Sequence, residues 1–495
     1  MNSYEQWKAL AASLSFPSQA YINGEFVPAL SGDTFDCINP TTEALLSKVA
    51  SCDSADVDVA VAAAQKAFKS GVWSTMAPRE RKNIMLKWAQ LIEEHKDEFA
   101  LLDTLDMGKS ISEMVAIDIP DSIDCFRWTA EGIDKLYGEI APTGGPNLAL
   151  ISHEPIGVIA AITPWNYPLM MASWKVAPAL AAGNSVILKP SEKSPLSVLR
   201  LAELATQAGV PDGVFNVLPG FGHTAGKALA LHNDVQVIAF TGSSRVAGML
   251  MEYSGQSNLK RVWIEAGGKS PCLVFDDCED ITAAAKGAAS SIFTNQGEVC
   301  IACSRLYVQS GIKDEFMAAL IEAAKAYVAG DPLNPATNMG PMVDKTQLET
   351  VTRFINSAQA DGATLVHGGV PEYQQGKGFY AKPTIFADAK NNMEFVREEI
   401  FGPVLAVATF DTEEEGVALA NDSKYGLGAA IWTNNLSRAH RVSRQLESGM
   451  VWVNTWGDGD TTVPFGGVKA SGNGRDKSLH AMEKYTEIKN VWIRL

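Results

Sequence analysis

The chain has 495 residues, 46% hydrophobic and 20% charged, enough apolar material for two or three packed cores and too much for a disordered polymer. Lysine plus arginine number 41 against 57 aspartate plus glutamate, a formal charge of −16, which sets the field against phosphate backbones and anionic lipid and excludes nucleic acid as an expected partner. Seven scattered cysteines, an odd number, speak against a disulfide framework and for a reducing compartment.

The first residues contain Glu5 and lack a basic start followed by an apolar core, so they do not read as a secretory signal. The longest apolar runs, such as Ile156 to Ile162, are strand-sized and far too short for a bilayer. The expected location is the cytoplasm, with no membrane association. After Asp53, SADVDVAVAAAQKAFKS has helical spacing behind an acidic or serine cap, and PRERKNIMLKWAQLIEEHKDEFALLDTL continues as a longer amphipathic stretch with a proline start. From Gly157 to Gly267 the pattern becomes short β-rich runs (GVIAAITP, SVILKP, VFNVLP, VIAFTG, RVWIEAGG) separated by helical segments, the mark of a doubly wound parallel sheet. A second alternation starts at Cys272-Leu-Val-Phe. It runs through a helix before Cys300, the strand SRLYVQ, the helix KDEFMAALIEAAKAYV, and strands at Leu405 to Phe410, Gly428 to Thr433 and Met450 to Asn454. Two α/β domains meeting at a ligand-holding cleft are the expected architecture.

Three polar or glycine-rich segments stand where strands end or helices begin: Lys189-Pro-Ser-Glu192, Gly220-Phe-Gly-His-Thr-Ala-Gly226 and Thr241-Gly-Ser-Ser244. Free N–H groups at such helix starts favour phosphate. The glycine loop is GxGxxxG rather than GxGxxG, and glycines often serve turns alone. Glu192 is placed to accept from ribose hydroxyls, or is a solvated acid.

Cys300 lies in Asn295-Gln-Gly-Glu-Val-Cys-Ile-Ala-Cys303. The CxxC spacing leaves open a nucleophile, half of a zinc site, a dithiol pair, or buried structural thiols. The seven histidines are dispersed, so no metal is expected. Glu265 ends an apolar strand before two glycines, where burial would raise its carboxyl into the range of a general base, unless it is a helix cap. Asn166, between Pro164 and Pro168, is either an amide donor to an oxyanion or a turn residue.

In order, ITPWNYP, ILKPSE, FTGSS, EAGGKS, NQGEVC, EEIFGP and PFGGVKASGNGRD resemble the NAD(P)-dependent aldehyde dehydrogenase superfamily over about Phe26 to Lys489. The resemblance implies a cofactor domain (1–135 and 155–265), a catalytic domain (266–478) and a small β oligomerisation element (136–154 and 479–495). It puts the thiol nucleophile on Cys300, the general base on Glu265, the oxyanion amide on Asn166 and a proton-relay lysine on Lys175. Cofactor contacts fall on Thr163, Trp165, Lys189, Ser191, Glu192, Gly222, Gly226, Phe240, Ser243, Val246, Gly267, Glu399 and Phe401. Glu192 implies NAD ahead of NADP.

The same resemblance assigns the substrate walls to Asp118, Asp121, Tyr167, Trp174, Trp456, Asp458, Asp460 and Phe465. The acids point to a cationic far end, and hence to an ω-aminoaldehyde of the γ-glutamyl-γ-aminobutyraldehyde, aminobutyraldehyde or guanidinobutyraldehyde kind. Betaine aldehyde or simple aliphatic aldehydes are the alternatives, with a dicarboxylic semialdehyde disfavoured by those acids and a silent binding protein on this fold as the rival class. The resemblance also implies a dimer or tetramer, with Arg261, Arg475 and Glu487 at its interface.

Overall fold

The computed structural model describes residues 2–495. The first β-rich region forms a seven-stranded sheet in the order Arg261–Ala266, Val237–Gly242, Val158–Ile162, Ser185–Lys189, Phe215–Val217, Ala20–Ile22 and Glu25–Val27. The first five strands are parallel. The last two form a hairpin that joins antiparallel at the edge. In Val158–Ile162, Ile159 and Ala161 enter one core while Val158, Ala160 and Ile162 enter another. Both faces are covered, which is why these runs are continuously apolar rather than alternating.

Ser54–Ser70 is a helix with a capping box between Asp53 and Asp56 and a left-handed Gly71 (φ 78°) at its end. The long stretch after Ala77 is two helices, Pro78–Glu94 and Lys96–Met107, broken at His95 (φ −105°, ψ 17°). His95 Nδ1 lies 3.0 Å from the Glu98 carboxylate, which Arg200 also holds at 2.9 Å. This ionic cluster fixes the bend.

The second sheet runs Thr364–His367, Thr384–Ala387, Val404–Phe410, Arg305–Gln309, Pro271–Val274, Gly428–Trp432 and Met450–Val453, parallel except for its first strand. A third sheet of Glu139–Ala141, Asn147–Pro155 and Thr486–Arg494 is antiparallel. Its last strand leaves Ile488 66% and Trp492 58% exposed. Among the described residues no helix is long and apolar enough to cross a membrane.

Two features aim the chemistry. Among the five parallel strands of the first sheet, Val158–Ile162 comes first in sequence yet lies between the second and the fourth, a topological switch point whose crevice opens at the carboxyl ends. The chain also returns along Arg261–Ala266: Ala266 N–H donates to Ser471 O (2.8 Å) and Asn473 N–H to Ile264 O (3.0 Å). That return brings residues 464–477 against Glu265.

Candidate active site

Cys300 follows a strained turn. The helix Ile281–Phe293 ends, and Asn295, Gln296 and Gly297 take φ of 47°, 55° and 74° in succession. Left-handed backbone at two non-glycine residues costs on the order of 1–3 kcal/mol each and persists only where neighbours enforce it. Here they do. Asn295 Nδ2 donates to Asn166 O (3.1 Å) and Glu298 O (3.2 Å), Gly340 N–H donates to Gln296 Oε1 (3.0 Å), and Val343 N–H donates to Glu298 Oε1 (3.0 Å). A Cβ on Gly297 would stand 2.3 Å from the Gly402 carbonyl carbon, so only glycine fits. Asn166 Nδ2 donates to Glu298 O at 2.8 Å, which ties the Pro164–Pro168 bend to the cysteine turn and leaves the second amide N–H for the cavity.

That cavity, about 660 Å³, runs between the two large sheets, and Cys300, Asn166, Glu265 and Glu399 all line it. Burial pushes the Glu265 carboxyl well above its ordinary value, helped by the Asp476 charge and opposed by Lys484, Lys175 and Arg475. Neither Glu265 oxygen has a hydrogen-bond partner among the described residues. A Cβ at Gly466 would lie 2.7 Å from Glu265 Oε1, so this acid occupies space that a side chain there would fill. Arg475 Nη1 closes the surrounding turn by donating to Gly467 O (2.7 Å) and Gly474 O (2.6 Å).

Glu399 Oε1 accepts from Gly268 N–H at 3.0 Å, and burial raises its carboxyl to about 7. A Cβ on Gly267 would stand 2.0 Å from Glu399 Oε2. The glycine pair after Glu265 is thus a requirement of close approach. Burial, then the charges of Glu399 and Glu265, push the Cys300 thiol up to about 12. Cys303 is buried with its thiol 3.7 Å from Pro271 O. Lys175 Nζ donates to Asp476 Oδ2 (2.9 Å), and Lys484 pairs with the other oxygen of the same buried carboxylate. Lys175 therefore acts on Glu265 through the field of this triad.

Of the expected cofactor residues, Trp165, Ser243, Gly267, Glu399 and Phe401 line the cavity. The rest lie around the switch point. Ser243 caps the helix Ser244–Gln256 by accepting from Val246 N–H. Phe240 is buried in the strand before it. Thr163 N–H donates to Lys189 O (3.1 Å). Lys189 Nζ donates to Pro190 O (2.6 Å) and Gly220 O (2.7 Å), and burial lowers its pKa to about 8. It binds the strand end carrying Ser191 and Glu192 to the turn carrying Gly222 and Gly226, with one N–H left over. Ser191 is buried and Glu192 half-buried.

The substrate acids divide. Asp118 departs from expectation: it is fully buried and accepts two bonds from Lys109 Nζ (2.7 and 2.9 Å), outside the cavity lining. It sits on a π-turn, Met114–Asp118, and although only three residues before Asp121 it does not share the cavity face with it. Asp460 also departs: its carboxylate accepts from Thr462 N–H (2.7 Å) and hydroxyl within its own turn, and it does not line the cavity. Asp121 and Asp458 do line it, with Tyr167, Trp174, Trp456 and Phe465. Asp121 Oδ2 accepts from Trp174 Nε1 (2.6 Å) and its Oδ1 from Lys477 Nζ (3.0 Å). Lys477, on the same cavity, is a cation that the sequence reading missed. Its sole signal was its position directly after the GNGRD motif.

Comparison with known proteins agrees with this geometry. The sequence pattern of the aldehyde dehydrogenase family matches residues 26–491. A relative from Escherichia coli strain K12, the NADP/NAD-dependent aldehyde dehydrogenase PuuC, is 53% identical over 489 residues, 99% of this chain and 98% of that protein. The crystal structure of an indole-3-acetaldehyde dehydrogenase complexed with NAD+ shares 55% identity with a TM-score of 0.99, covering 100% of both chains. That of a γ-glutamyl-γ-aminobutyraldehyde dehydrogenase from Burkholderia cenocepacia J2315 shares 53% identity with a TM-score of 0.98, again over 100% of both chains. With the family pattern spanning nearly the whole chain around this cysteine turn, the protein belongs to the aldehyde dehydrogenase family.

Proposed function

We propose that the chain oxidises an ω-aminoaldehyde to its carboxylic acid, with NAD as hydride acceptor ahead of NADP. The observation that carries this reading is the meeting of Cys300, the Asn166 amide and the unpartnered Glu265 carboxyl in one cavity. Relatives named for NADP/NAD-dependent aldehyde oxidation and for γ-glutamyl-γ-aminobutyraldehyde support it.

The residues present fit a dinucleotide. Thr163 and Thr241 hydroxyls are buried without partners among the described residues, and the helix after Ser243 presents free N–H groups toward phosphate. Glu192 would accept from ribose hydroxyls and repel a 2′-phosphate. Ser243 and Val246 would stand at the pyrophosphate, and Glu399 with Phe401 at the nicotinamide end. When bound, the cofactor supplies a two-electron acceptor for hydride.

Cys300 loses its thiol proton to a neighbouring carboxylate and its sulfur attacks the aldehyde carbon. A C–S bond forms, and the carbonyl π pair moves to oxygen. The free Asn166 N–H and the Cys300 backbone N–H hold that oxyanion. As the C=O bond re-forms, hydride leaves carbon, which is thereby oxidised to a thioester on Cys300. Glu265 then takes a proton from water, whose oxygen displaces the sulfur and releases the acid. Lys175 and Lys484, through Asp476, set the field in which Glu265 gains and loses that proton. Asn166→Ala is expected to lower kcat by about 10²–10³-fold with a smaller change in KM, since the lost donor acts mainly on developing charge.

A cationic far end is met by Asp121 and Asp458, with Trp174 and Trp456 as aromatic faces. Betaine aldehyde and alkyl aldehydes remain the competing substrates. The apolar walls Met170, Met171, Trp452 and Phe465 also favour flat aromatic aldehydes of the indole-3-acetaldehyde type, the second reading. A kcat/KM panel over amino, guanidino, trimethylammonio, alkyl and indolyl aldehydes tests the ranking, with NAD and NADP each. The proposal requires at least about a tenfold advantage for an aminoaldehyde, free or γ-glutamylated, over alkyl aldehydes of equal length, the value of one charge-assisted hydrogen bond. Parity overturns it. The exposed Ile140, Ile488 and Trp492 of the third sheet support assembly into a homo-oligomer through residues 136–154 and 479–495, whereas Arg261 and Glu487, expected between subunits, pair with each other at 2.7 Å within the chain.

A further inference from the structure

The far end of the cavity carries charges of both signs. Lys477 lines it beside Asp121, and Asp458 lines it from the loop above. That loop is joined to the lysine segment: Ser478 N–H donates to Thr461 O (2.7 Å), and Phe465 and Asp476 exchange both backbone bonds at 2.8 Å. Lys477 and Ser478 take φ of 60° and 54°, a conformation non-glycine residues avoid unless the surroundings impose it. The backbone is bent here at a cost, and the bend presents an ammonium to the cavity.

The lysine makes one hydrogen bond among the described residues, to Asp121 Oδ1, and lies 5.0 Å from the Trp174 ring centroid. An ammonium has three donors, so one or more remain for a ligand. Asp458 has one oxygen engaged by the Thr455 hydroxyl and the other unpartnered among the described residues. A substrate ending in a bare ammonium would meet Asp458 but also the like charge of Lys477. A bare carboxylate would meet the reverse conflict. A group with both charges answers both walls.

We infer that this end is a zwitterion subsite, in which Lys477 takes a carboxylate while Asp458 and Asp121 take an ammonium. The preferred aldehyde then carries an α-amino acid group remote from its carbonyl. This rests on the aldehyde oxidation proposed above and selects, within the ω-aminoaldehyde class, the γ-glutamylated form over the free amine. The sequence alone names the γ-glutamylated aldehyde among the candidates but counts only acids on the substrate walls, and Lys477 supplies the missing partner for its carboxylate.

Three aldehydes of shared backbone test this: γ-glutamyl-γ-aminobutyraldehyde (zwitterion), 4-aminobutyraldehyde (cation) and N-acetyl-4-aminobutyraldehyde (neutral amide). In Lys477→Met the zwitterion-to-neutral ratio of kcat/KM is expected to fall about 10- to 100-fold, chiefly through KM, while the cation-to-neutral ratio rises. Lys477→Arg should keep the zwitterion ratio within about threefold of the native value, because the charge is retained. An unchanged ratio in Lys477→Met, or equal losses in Met and Arg variants, overturns the subsite while leaving aldehyde oxidation standing. If none of the three is turned over, the oxidation reading itself falls. Calorimetric binding of the acid γ-glutamyl-γ-aminobutyrate then still decides the subsite: equal affinity for native protein and Lys477→Met refutes it.

Discussion

Cys300→Ala is expected to abolish aldehyde oxidation, lowering kcat by at least about 10⁴-fold, because the covalent route is lost and no other cysteine among the described residues lines the cavity. Cys303 cannot substitute: it is buried, with its thiol turned to Pro271 O at 3.7 Å. The cavity otherwise survives the change, so binding of NAD, followed by quenching of the cavity tryptophans, should be retained. A residual rate above about one per cent of native would show that the sulfur is not the reacting atom. The titration of this thiol makes a second reading of the same experiment. Burial and the charges of Glu399 and Glu265 hold it near 12, so the thiolate fraction, and with it alkylation by iodoacetamide, should climb with pH across 7 to 9 without a plateau in the cofactor-free enzyme. A plateau near neutrality would mean that burial does not hold the thiol protonated.

Much of this site was legible because chemistry and backbone geometry coincide in short stretches. The apolar runs before Thr163, Lys189 and Ser243 are buried on both faces, and each, like the edge strand before Glu265, ends where the sheet meets the cleft. Their termini therefore point to the candidate binding residues. Asn295 to Cys300 was readable only as a motif, since nothing in residue types announces three left-handed backbone conformations in a row. The strands Thr364–His367, Thr384–Ala387 and the hairpin at Ala20–Val27 went unnoticed, being short edge elements or partners whose pairing is set by distant chain. Most instructive are the acids. Asp118 and Asp121 are three apart, yet one neutralises buried Lys109 and the other faces the cavity with Lys477. Which carboxylate faces the cavity depends on which cation the fold brings to it: Lys109 lies 9 residues before Asp118, whereas Lys477 lies 356 residues after Asp121. Helical spacing holds no such information.

Glu265→Gln should separate the two halves of the reaction. The amide fills the same space beside Gly466 but takes no proton, so acylation and one equivalent of reduced cofactor per site are expected as a burst, followed by turnover slowed about 10²–10⁴-fold. Intact-protein mass spectrometry should find the acyl group on Cys300 during that slow phase. A variant that shows no burst and no adduct would place the proton transfer before hydride departure and assign Glu265 to the thiol rather than to water. The pH profile gives the sign. Burial and Asp476 raise this carboxyl well above its ordinary 4.5, so deacylation in the native enzyme rises with pH as the base form appears, and this limb should vanish in the glutamine variant. Stability follows the opposite course. A carboxyl whose folded pKa lies above its unfolded one favours the folded state fully below about pH 4.5, and that contribution is lost as pH climbs toward the folded value. Native protein should therefore lose thermal stability on going from pH 5 to pH 8 relative to Glu265→Gln, whose side chain carries no charge at either pH. The desolvation that raises the Glu265 carboxyl is thus measurable without substrate or cofactor. Parallel melting curves for the two proteins over that interval would show that the acid is not held neutral by its surroundings.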